Sequence, residues 1–415
     1  MVTGRPRPPR IVLFGLFGSS NLGNDATLGV TLDHLRKRQP EAEIACVCRN
    51  QREVERVFQI KTLPMDPLPP WGFWRIPNRT MRHACTATFA LITEPVRAMR
   101  IARHLAGVQQ FLVVGTGVLD DFGEQPWAMP AWLLRWCSGA KRAGAVVRFL
   151  AVGAGPIRNP VNRYLMVRAV LQSDYRSYRD SVSRAFAQSV GVNVARDPVV
   201  PDLVFAISEE ELVGRRQPSA PPKSIGVGVM GYYGWSNDRG EGITIYEKYI
   251  EKMSAFVLWL LRQGYLVHVL LGQLNADERP VQDLIEAVSA KLDVETRRRL
   301  LAPKIESLDD LMGAIAETDA VVATRYHNVI CALSLGRPVI AVGYASKFDD
   351  LMQEVGLASY CQSIEHLDVE LLMEQFARLS ANHGALVAQV KAKVATFRGK
   401  LNAMYDSLFG HVPAE

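Results

Sequence analysis

Three side chains that could bind an anion and move a proton lie close together in the C-terminal part of the chain: Arg325, His327 and Lys347. Arginine holds a carboxylate or phosphate in a planar fork, and lysine offers a compact positive charge. Histidine is the side chain most readily poised for proton transfer near neutral pH. These residue types predict a site for a small anion with a proton donor beside it.

The flanking pattern places Arg325 and His327 at the carboxyl end of a strand. Residues 319–322 form a short apolar run typical of a buried strand, residues 329–336 a helix ended by glycine, and residues 337–342 the next strand. Parallel sheets bind ligands at the carboxyl ends of their strands, and a helix start favours anions. An isolated Arg-x-His in a loop is often structural, so at this point a structural role and a catalytic role are both open.

Other predicted strand ends also deliver polar groups. The strand at 11–17 leads to Asn21-Leu-Gly-Asn-Asp25, and the strand at 111–115 leads to Asp120 and Asp121. Carboxylates there suit sugar hydroxyls, although Asp25 could instead cap the helix that follows. A third strand end carries Arg179, which could form either an anion contact or a surface ion pair with the neighbouring Asp180.

The whole chain alternates strands and helices in two stretches. At 415 residues it is too long for one comfortable core, and an acidic, then Pro/Ser-rich segment interrupts the alternation. We therefore predict an α/β protein with two Rossmann-like, doubly wound domains facing a cleft. The predicted divisions are a first domain at 10–207, a linker at 208–224, a second domain at 225–384 and a last helix at 385–408.

Composition argues against several classes of protein. The net charge is +6, with three arginines in the first ten positions, which suggests weak attraction to anionic ligands or lipid surfaces and argues against nucleic acid as a partner. The six cysteines show no metal-ligand spacing, so we expect no metal site. No window approaches the about 20 apolar residues of a spanning helix. We expect a cytoplasmic protein, with peripheral contact at the inner face of the membrane left open.

Several motifs, each weak alone, occur in a specific order. They are Asn21-Leu-Gly-Asn-Asp25, Gly115-Thr-Gly-Val-Leu-Asp-Asp121, Ala151-Val-Gly-Ala-Gly-Pro156, Tyr178-Arg-Asp-Ser181, Pro201-Asp-Leu203, and Thr324-Arg-Tyr-His327 followed by Lys347. Together they resemble the polysaccharide pyruvyl transferase family, from Ile11 to about Leu357. Gly115-Thr116-Gly117 departs from the longer glycine run common in that family.

The resemblance implies a GT-B-like fold and a defined reaction. The pyruvyl group of phosphoenolpyruvate would move onto two hydroxyls of a hexose in a polysaccharide or glycolipid precursor, forming a cyclic ketal and releasing phosphate. Phosphoenolpyruvate would be a co-substrate, with no cofactor. Arg179, Arg325 and Lys347 would hold this donor, and His327 would be the general acid. The second domain would bind the donor and the first the acceptor, and the last helix would cross back onto the first domain.

The acceptor side is less closely specified. We expect its contacts among the polar residues of the first two strand ends, Asn21, Asn24, Asp25, Asp120 and Asp121. The acceptor sugar, its attachment to lipid and the oligomeric state have no readable code in the sequence. Two alternatives stay open: a nucleotide-sugar-dependent glycosyltransferase or epimerase on the same fold, and a catalytically silent member that binds glycans.

Overall fold

The computed structural model describes residues 8–68, 72, 75–115, 117–121, 124–208, 215–234 and 239–411, without the side chains of Ala90 and Arg239. The chain divides into two compact units. Unit 1 comprises Met1–Ser19, Thr27–Leu203 and Met404–Glu415, and unit 2 comprises Ser20–Ala26 and Val204–Ala403. Thus Ser20–Ala26 groups with unit 2 although the residues on both sides belong to unit 1. The donor and acceptor roles assigned to the two domains stay predictions.

Unit 1 is built on a six-stranded parallel sheet with the order β3-β2-β1-β4-β5-β6. Its strands are β1 (Arg10–Phe14), β2 (Glu43–Cys48), β3 (Lys61–Pro64), β4 (Gln110–Val114), β5 (Val146–Val152) and β6 (Tyr175–Tyr178). Its helices are α1 (Leu22–Arg38), whose first turn belongs to unit 2, α2 (Gln51–Phe58), α3 (Arg79–Ile92), α4 (Glu94–Leu105), α5 (Met129–Arg142), α6 (Pro160–Val170) and α7 (Ser181–Ser189).

The core of unit 1 forms because its strands are apolar on both faces, as a parallel sheet covered by helices requires. Trp136 of α5 is fully buried, stacks on Phe111 with ring centroids 6.3 Å apart and donates from Nε1 to the Met65 carbonyl at 2.9 Å. The chain end packs against α1 in the same unit, where the ring of Tyr405 stacks on His34 at 4.2 Å. These contacts hold α5 against the sheet of unit 1 and the chain end against α1.

Unit 2 repeats this topology, with the order β12-β11-β10-β7-β8-β9 in its six-stranded parallel sheet. Its strands are β7 (Ser224–Gly228), β8 (Leu266–Leu270), β9 (Leu300–Leu301), β10 (Ala320–Ala323), β11 (Val339–Gly343) and β12 (Cys361–Ser363). Its helices are α8 (Arg239–Arg262), α9 (Glu278–Ser289), α10 (Val294–Arg297), α11 (Leu308–Ala316), α12 (Tyr326–Ser334), α13 (Lys347–Glu354), α14 (Val369–Ala381) and α15 (His383–Phe409), whose last turns belong to unit 1.

Each sheet reverses its strand order between its first and fourth strands, which is where such sheets bind ligands. In unit 2 this point lies between β7 and β10, so the residues that follow Gly228 and Ala323 line it. The prediction of two doubly wound α/β units is confirmed. No helix in the described part of the chain is long and apolar enough to cross a membrane.

The sequence prediction missed several short elements. Residues 61–105 contain the short strand β3 and then two helices, α3 and α4, that meet at Thr93. The strands β9 and β12 have two and three residues and were not predicted. Such short strands exist because a neighbouring strand offers hydrogen bonds, and the local sequence carries little sign of them.

A buried carboxylate ties the start of β7 to the start of β10. Asp319, which has no exposed side-chain surface, accepts hydrogen bonds from the backbone N–H groups of Ser219, Lys223 and Ser224 at 2.6, 2.7 and 2.9 Å, and pairs with Arg216 at 2.9 Å. Burial acts to raise the pKa of Asp319, but together these hydrogen bonds lower it. The carboxylate thereby holds the two strands that flank the reversal of strand order.

We predict that Asp319→Asn lowers the free energy of unfolding by about 3 kcal/mol at neutral pH, because a charged acceptor of several buried donors is lost. A folded-state pKa below the ordinary value of about 4 means that the stabilisation is present above that value. It should fade as the pH falls through the folded-state pKa, so the difference between the two proteins should shrink in acid.

Urea denaturation at neutral and acidic pH measures both effects. The matched control is Asp309→Asn, since Asp309 is exposed and forms a surface pair with Arg215. A loss for Asp319→Asn no greater than that of the control would contradict the structural role given to Asp319.

Candidate functional site

Arg325 is held in place by a buried carboxylate of unit 2. It is the N-cap residue of α12, directly after β10, and its guanidinium forms a two-pronged ion pair with Asp277. The Nε atom lies 2.8 Å from Oδ2, and the Asp277 side chain has no exposed surface while that of Arg325 is 18% exposed. The pair leaves the Nη1 atom of Arg325 outside these two bonds, and it fixes the orientation of the fork.

Glycine at the end of β8 makes room for this arginine. A Cβ atom on Gly272 would lie 2.7 Å from both Arg325 Cγ and Asn328 Oδ1. A Cβ on Gly228, at the end of β7, would lie 2.8 Å from Asn328 Nδ2. Any larger residue at either position would therefore displace a side chain of α12.

Asn328 is a residue to which sequence reasoning assigned no role. It is fully buried at the reversal of strand order, and neither its Oδ1 nor its Nδ2 atom has a hydrogen-bond partner among the described residues. Buried amides are normally hydrogen-bonded, so such a group next to Arg325 is a feature of a ligand site or of a bound water. Its position one residue after His327 was the available signal.

The residue before Arg325 joins the two central strands. The Thr324 hydroxyl donates to the Gly228 carbonyl at 3.1 Å and accepts from the Tyr249 hydroxyl at 3.2 Å, all of it buried. Burial raises the pKa of Tyr249. Thr324 is therefore a structural residue of the motif: it locks the carboxyl ends of β7 and β10 together beneath Arg325.

His327 lies in the first turn of α12 and packs against a glycine that is distant in sequence. A Cβ atom on Gly23 would lie 1.8 Å from its Cγ and 2.1 Å from its Nδ1. The ring also meets that of Tyr326 edge-on, with centroids 5.9 Å apart. The half-buried imidazole is therefore confined between the start of α1 and the start of its own helix, within unit 2.

The segment around Gly23 belongs to unit 2 through backbone contacts with the loop after β8. Asn21 forms an antiparallel bridge with Gln273, and the Leu274 N–H donates to the Ser20 carbonyl at 3.0 Å. The Asn21 side chain accepts from the Gly23 N–H at 3.1 Å. Asn21 thus supports the glycine that contacts His327.

The other two candidate residues of this segment lie in the first turn of α1. The N–H groups of Asn24 and Asp25 donate to the Asn21 carbonyl at 3.0 and 3.3 Å, so Asn21 precedes and caps the helix. The alternative that Asp25 is the cap is wrong. Asp25 instead places a carboxylate in the first turn, where the helix dipole stabilises it.

Lys347 lies at the first position of α13, after β11, among aromatic rings. Its Nζ atom is 4.9 Å from the ring centroids of both Tyr326 and Tyr344 and donates to the Tyr344 hydroxyl at 3.1 Å. Within the described ranges it forms no ion pair with a carboxylate. Unlike Arg325, Lys347 is held by ring faces and not by a carboxylate of the described residues.

Arg179, the third predicted cation, belongs to unit 1 and is paired with two carboxylates. Its side chain is 11% exposed and lies 3.3 Å from Asp180 and 3.8 Å from Asp202. A Cβ on Gly153 would lie 2.6 Å from its Cζ, so the guanidinium lies on the backbone of the loop after β5. Three of the sequence motifs therefore meet here. The ion pair with Asp180 is present, but it is largely buried and not on the surface. Asp180 also caps α7 by accepting from Ser183.

Asp120 and Asp121 follow β4 in the same unit. Asp121 accepts from the Asn159 N–H at 2.7 Å and so holds the loop before α6. Asp120 contacts the glycine loops on both sides, since Cβ atoms on Gly117 and Gly155 would lie 3.0 and 3.3 Å from its side chain. Asp121 therefore holds a loop of unit 1 in place, and Asp120 lies between two loops that follow strand ends.

The predicted residues thus fall into two groups at strand ends. Arg325, His327, Lys347, Asn21, Asn24 and Asp25 belong to unit 2, and Arg179, Asp120 and Asp121 belong to unit 1. In the parts of the chain that the structure describes, no group of three or more His, Cys, Asp or Glu side chains is arranged to hold a metal ion. The groups of unit 2 that suit anion binding are two helix starts and two cations, with an imidazole in the first turn of α12.

Comparison with known proteins gives both a family and a fold. A family model described as polysaccharide pyruvyl transferase matches residues 21–346. UDP-GlcNAc 2-epimerase from Neisseria meningitidis, bound to UDP-GlcNAc, is similar with a TM-score of 0.57 at 11% identity, over 96% of this chain and 98% of that one. A lipopolysaccharide outer core galactosyltransferase reaches 0.51 at 12% identity, over 96% and 100%. HepE of Anabaena, in complex with UDP and glucose, reaches 0.51 at 11%, over 96% and 99%. These neighbours establish a GT-B-like fold.

We predict that Arg325 and Asp277 are strongly coupled in a double-mutant cycle of Asp277→Asn and Arg325→Gln. A buried, two-pronged pair should give a coupling energy of about 2 kcal/mol, because either single change leaves the partner unpaired. The matched control is the exposed pair of Arg298 and Glu295 in unit 2. Urea denaturation of the four proteins of each cycle measures both, and equal coupling in the two cycles would contradict the assignment.

Proposed function

This chain belongs to the polysaccharide pyruvyl transferase family, and on that premise we propose that it moves the pyruvyl group of phosphoenolpyruvate onto two hydroxyls of a sugar. The observation that carries the proposal is that Arg325 and His327 lie together at the start of α12, directly after β10, and that the Nζ atom of Lys347 lies 4.9 Å from the ring centroid of Tyr326, the residue between them in sequence. A trianionic donor with a carbon to be protonated suits such a site. The product would be a cyclic ketal, with phosphate released.

We assign donor binding to the cations and the helix starts of unit 2. Asp277 fixes the orientation of the Arg325 guanidinium, whose Nη1 atom lies outside the pair, and Lys347 adds a charge held by aromatic rings. Backbone N–H groups in the first turn of α12 add partial positive charge. The donor's carboxylate and phosphate are the groups these would neutralise. Arg179, on unit 1, stays the third predicted donor contact.

His327 is the proposed general acid. As an imidazolium it would give its proton to the methylene carbon of phosphoenolpyruvate, and the positive charge would pass to the adjacent carbon and its oxygen substituent. A positioned acid contributes about 10²–10⁴ in rate. The packing of the ring against Gly23 supports this role, because proton transfer to carbon requires a fixed donor orientation.

Two additions to one carbon complete the reaction. A sugar hydroxyl attacks the charged carbon and loses its proton, which neutral His327 can accept. Phosphate then leaves with the electrons of its C–O bond, and a second hydroxyl of the same sugar attacks to close the ketal, passing its proton to the departing phosphate. Fixed cations stabilise the leaving phosphate without rearranging, which is the usual source of electrostatic catalysis. For the acceptor we propose a hexose in a polysaccharide or glycolipid precursor, contacted by Asp120.

The central test is phosphate release from phosphoenolpyruvate in the presence of a panel of hexose acceptors. We expect release for the wild-type chain and a loss of about 10³-fold for His327→Gln, because the proton donor is gone. The matched control is His366→Gln, since His366 is an exposed histidine of the same unit. Circular dichroism checks that both variants fold.

Near-wild-type turnover by His327→Gln would refute the proposed mechanism. The structural neighbours bound to UDP-GlcNAc or UDP favour one competing function, a nucleotide-sugar enzyme. Thermal shift separates the two, because a ligand that binds the folded state raises the melting temperature. A shift with UDP-sugars and none with phosphoenolpyruvate would support the competing function.

We predict that Gly23→Ala removes activity while it leaves the fold intact. Alanine favours a helix over glycine by about 1 kcal/mol, so α1 itself should tolerate the change, but the new Cβ would displace the His327 ring. The matched control is Gly29→Ala in the same helix, where the nearest atom, on Phe58, would be 3.4 Å away.

Phosphate release and melting temperature of the two variants are compared. Retained activity in Gly23→Ala would show that the contact of Gly23 with His327 is not required for the reaction.

A further inference from the structure

Unit 1 carries an exposed apolar surface on two consecutive helices, which we call the α3–α4 face. It comprises Met81, Leu91, Ile92, Val96 and Met99, with exposed fractions of 57, 77, 72, 39 and 46%. Single exposed apolar residues are ordinary on protein surfaces, but five large ones within two adjoining helices are not. None of them has a role in the reaction proposed above.

The two helices present these residues along one side. They nearly form one helix, since the Thr93 N–H donates to the Phe89 carbonyl and the Arg97 N–H to the Thr93 carbonyl, both at 3.0 Å. Leu91, Pro95 and Met99 are therefore spaced as successive turns of one face. The opposite side of α4 is buried in unit 1, so the exposed stripe has no partner within the described part of that unit.

The charges around the stripe have one sign. Residues 75–103 contain six arginines, no lysine, no aspartate and a single glutamate. That glutamate, Glu94, pairs with Arg135 at 2.7 Å, so it does not offset the arginines. Arg79, Arg100 and Arg103 are exposed. An apolar stripe bordered by arginines is the pattern of a helix that lies in a membrane interface.

The face lies towards the functional edge of its own unit. Arg97, on the buried side of α4, donates from Nε to Asp66 at 2.9 Å and from Nη2 to the Leu68 carbonyl at 2.7 Å. Both partners follow β3, so the start of α4 is at the carboxyl edge of the sheet of unit 1. Arg179 and Asp120 follow strands at that same edge.

We propose that the α3–α4 face docks on a membrane surface rich in anionic lipid, with the apolar stripe inserted among the headgroups and the arginines at the lipid phosphates. The excess of arginine favours a lipid surface as the partner of this face, because the cytoplasmic leaflet is negatively charged and each basic residue near it adds to binding. Docking this edge would bring lipid-linked molecules to the unit that carries Asp120. The proposal does not depend on the pyruvyl transfer reaction.

The test is co-sedimentation with vesicles of phosphatidylcholine plus phosphatidylglycerol, against vesicles of phosphatidylcholine alone. We expect binding to the anionic vesicles that weakens as salt rises. The double variant Leu91→Ser with Ile92→Ser should bind at least about tenfold more weakly, because the inserted apolar area is lost. The matched control is Val294→Ser in unit 2, where valine is 77% exposed, and it should bind as wild type.

A second pair of variants tests the charges. Arg79→Gln with Arg103→Gln should weaken binding to anionic vesicles about 30-fold, since each basic residue contributes on the order of a factor of five. The control is Arg298→Gln, an exposed arginine of unit 2 that should bind as wild type. Equal binding by both double variants and wild type would overturn the proposal. Self-association that needs Leu91, without vesicle binding, would overturn it in favour of contact with a second copy of the chain.

Discussion

The position of the reactive side chains of unit 2 depends on close packing against glycine. Gly23 and Gly272 have no Cβ, and the rings and stems of His327 and Arg325 occupy that space. Because protein interiors are close-packed, a methyl group there could be accommodated only by moving the functional residue. The same constraint operates in unit 1, where the guanidinium of Arg179 lies against Gly153. Three glycines that look like turn residues in the sequence therefore lie directly against the side chain of a candidate site residue.

Both predicted donor-binding arginines are held by acidic residues, and this divides the work among the cations. Arg325 is paired with the buried Asp277, and Arg179 lies beside Asp180 and Asp202. Such pairs orient the guanidinium but offset much of its charge at a distance. Lys347 forms no carboxylate pair in the described part of the chain, so in the proposed site its charge would act on a ligand without that offset. The arginines would then supply geometry, and the lysine net charge.

The fold by itself does not indicate which reaction a protein of this architecture catalyses. A similar fold occurs in UDP-GlcNAc 2-epimerase and in a protein bound to UDP and glucose, each of which shares about one residue in nine with this chain. On a fold that hosts several reactions, the side chains placed after the strands decide the chemistry. In unit 2 the frame is fixed from beneath by Thr324, Tyr249 and Asp319, none of which needs to touch a ligand. The residues that hold this part of unit 2 together therefore lie next to the residues that would act on a ligand.

The sequence by itself determined the two α/β units and the strand-end positions of Arg325, His327 and Lys347, because apolar runs and the helices after them are local patterns. Tertiary structure decided which residues contact the candidate site residues. Asp277 is 48 residues from Arg325 in sequence, and Gly23 is 304 residues from His327. It also decided that Ser20–Ala26 belongs with unit 2 and that the buried Asn328 side chain has no hydrogen-bond partner among the described residues. Such contacts arise when distant elements pack together, and no spacing within one segment encodes them.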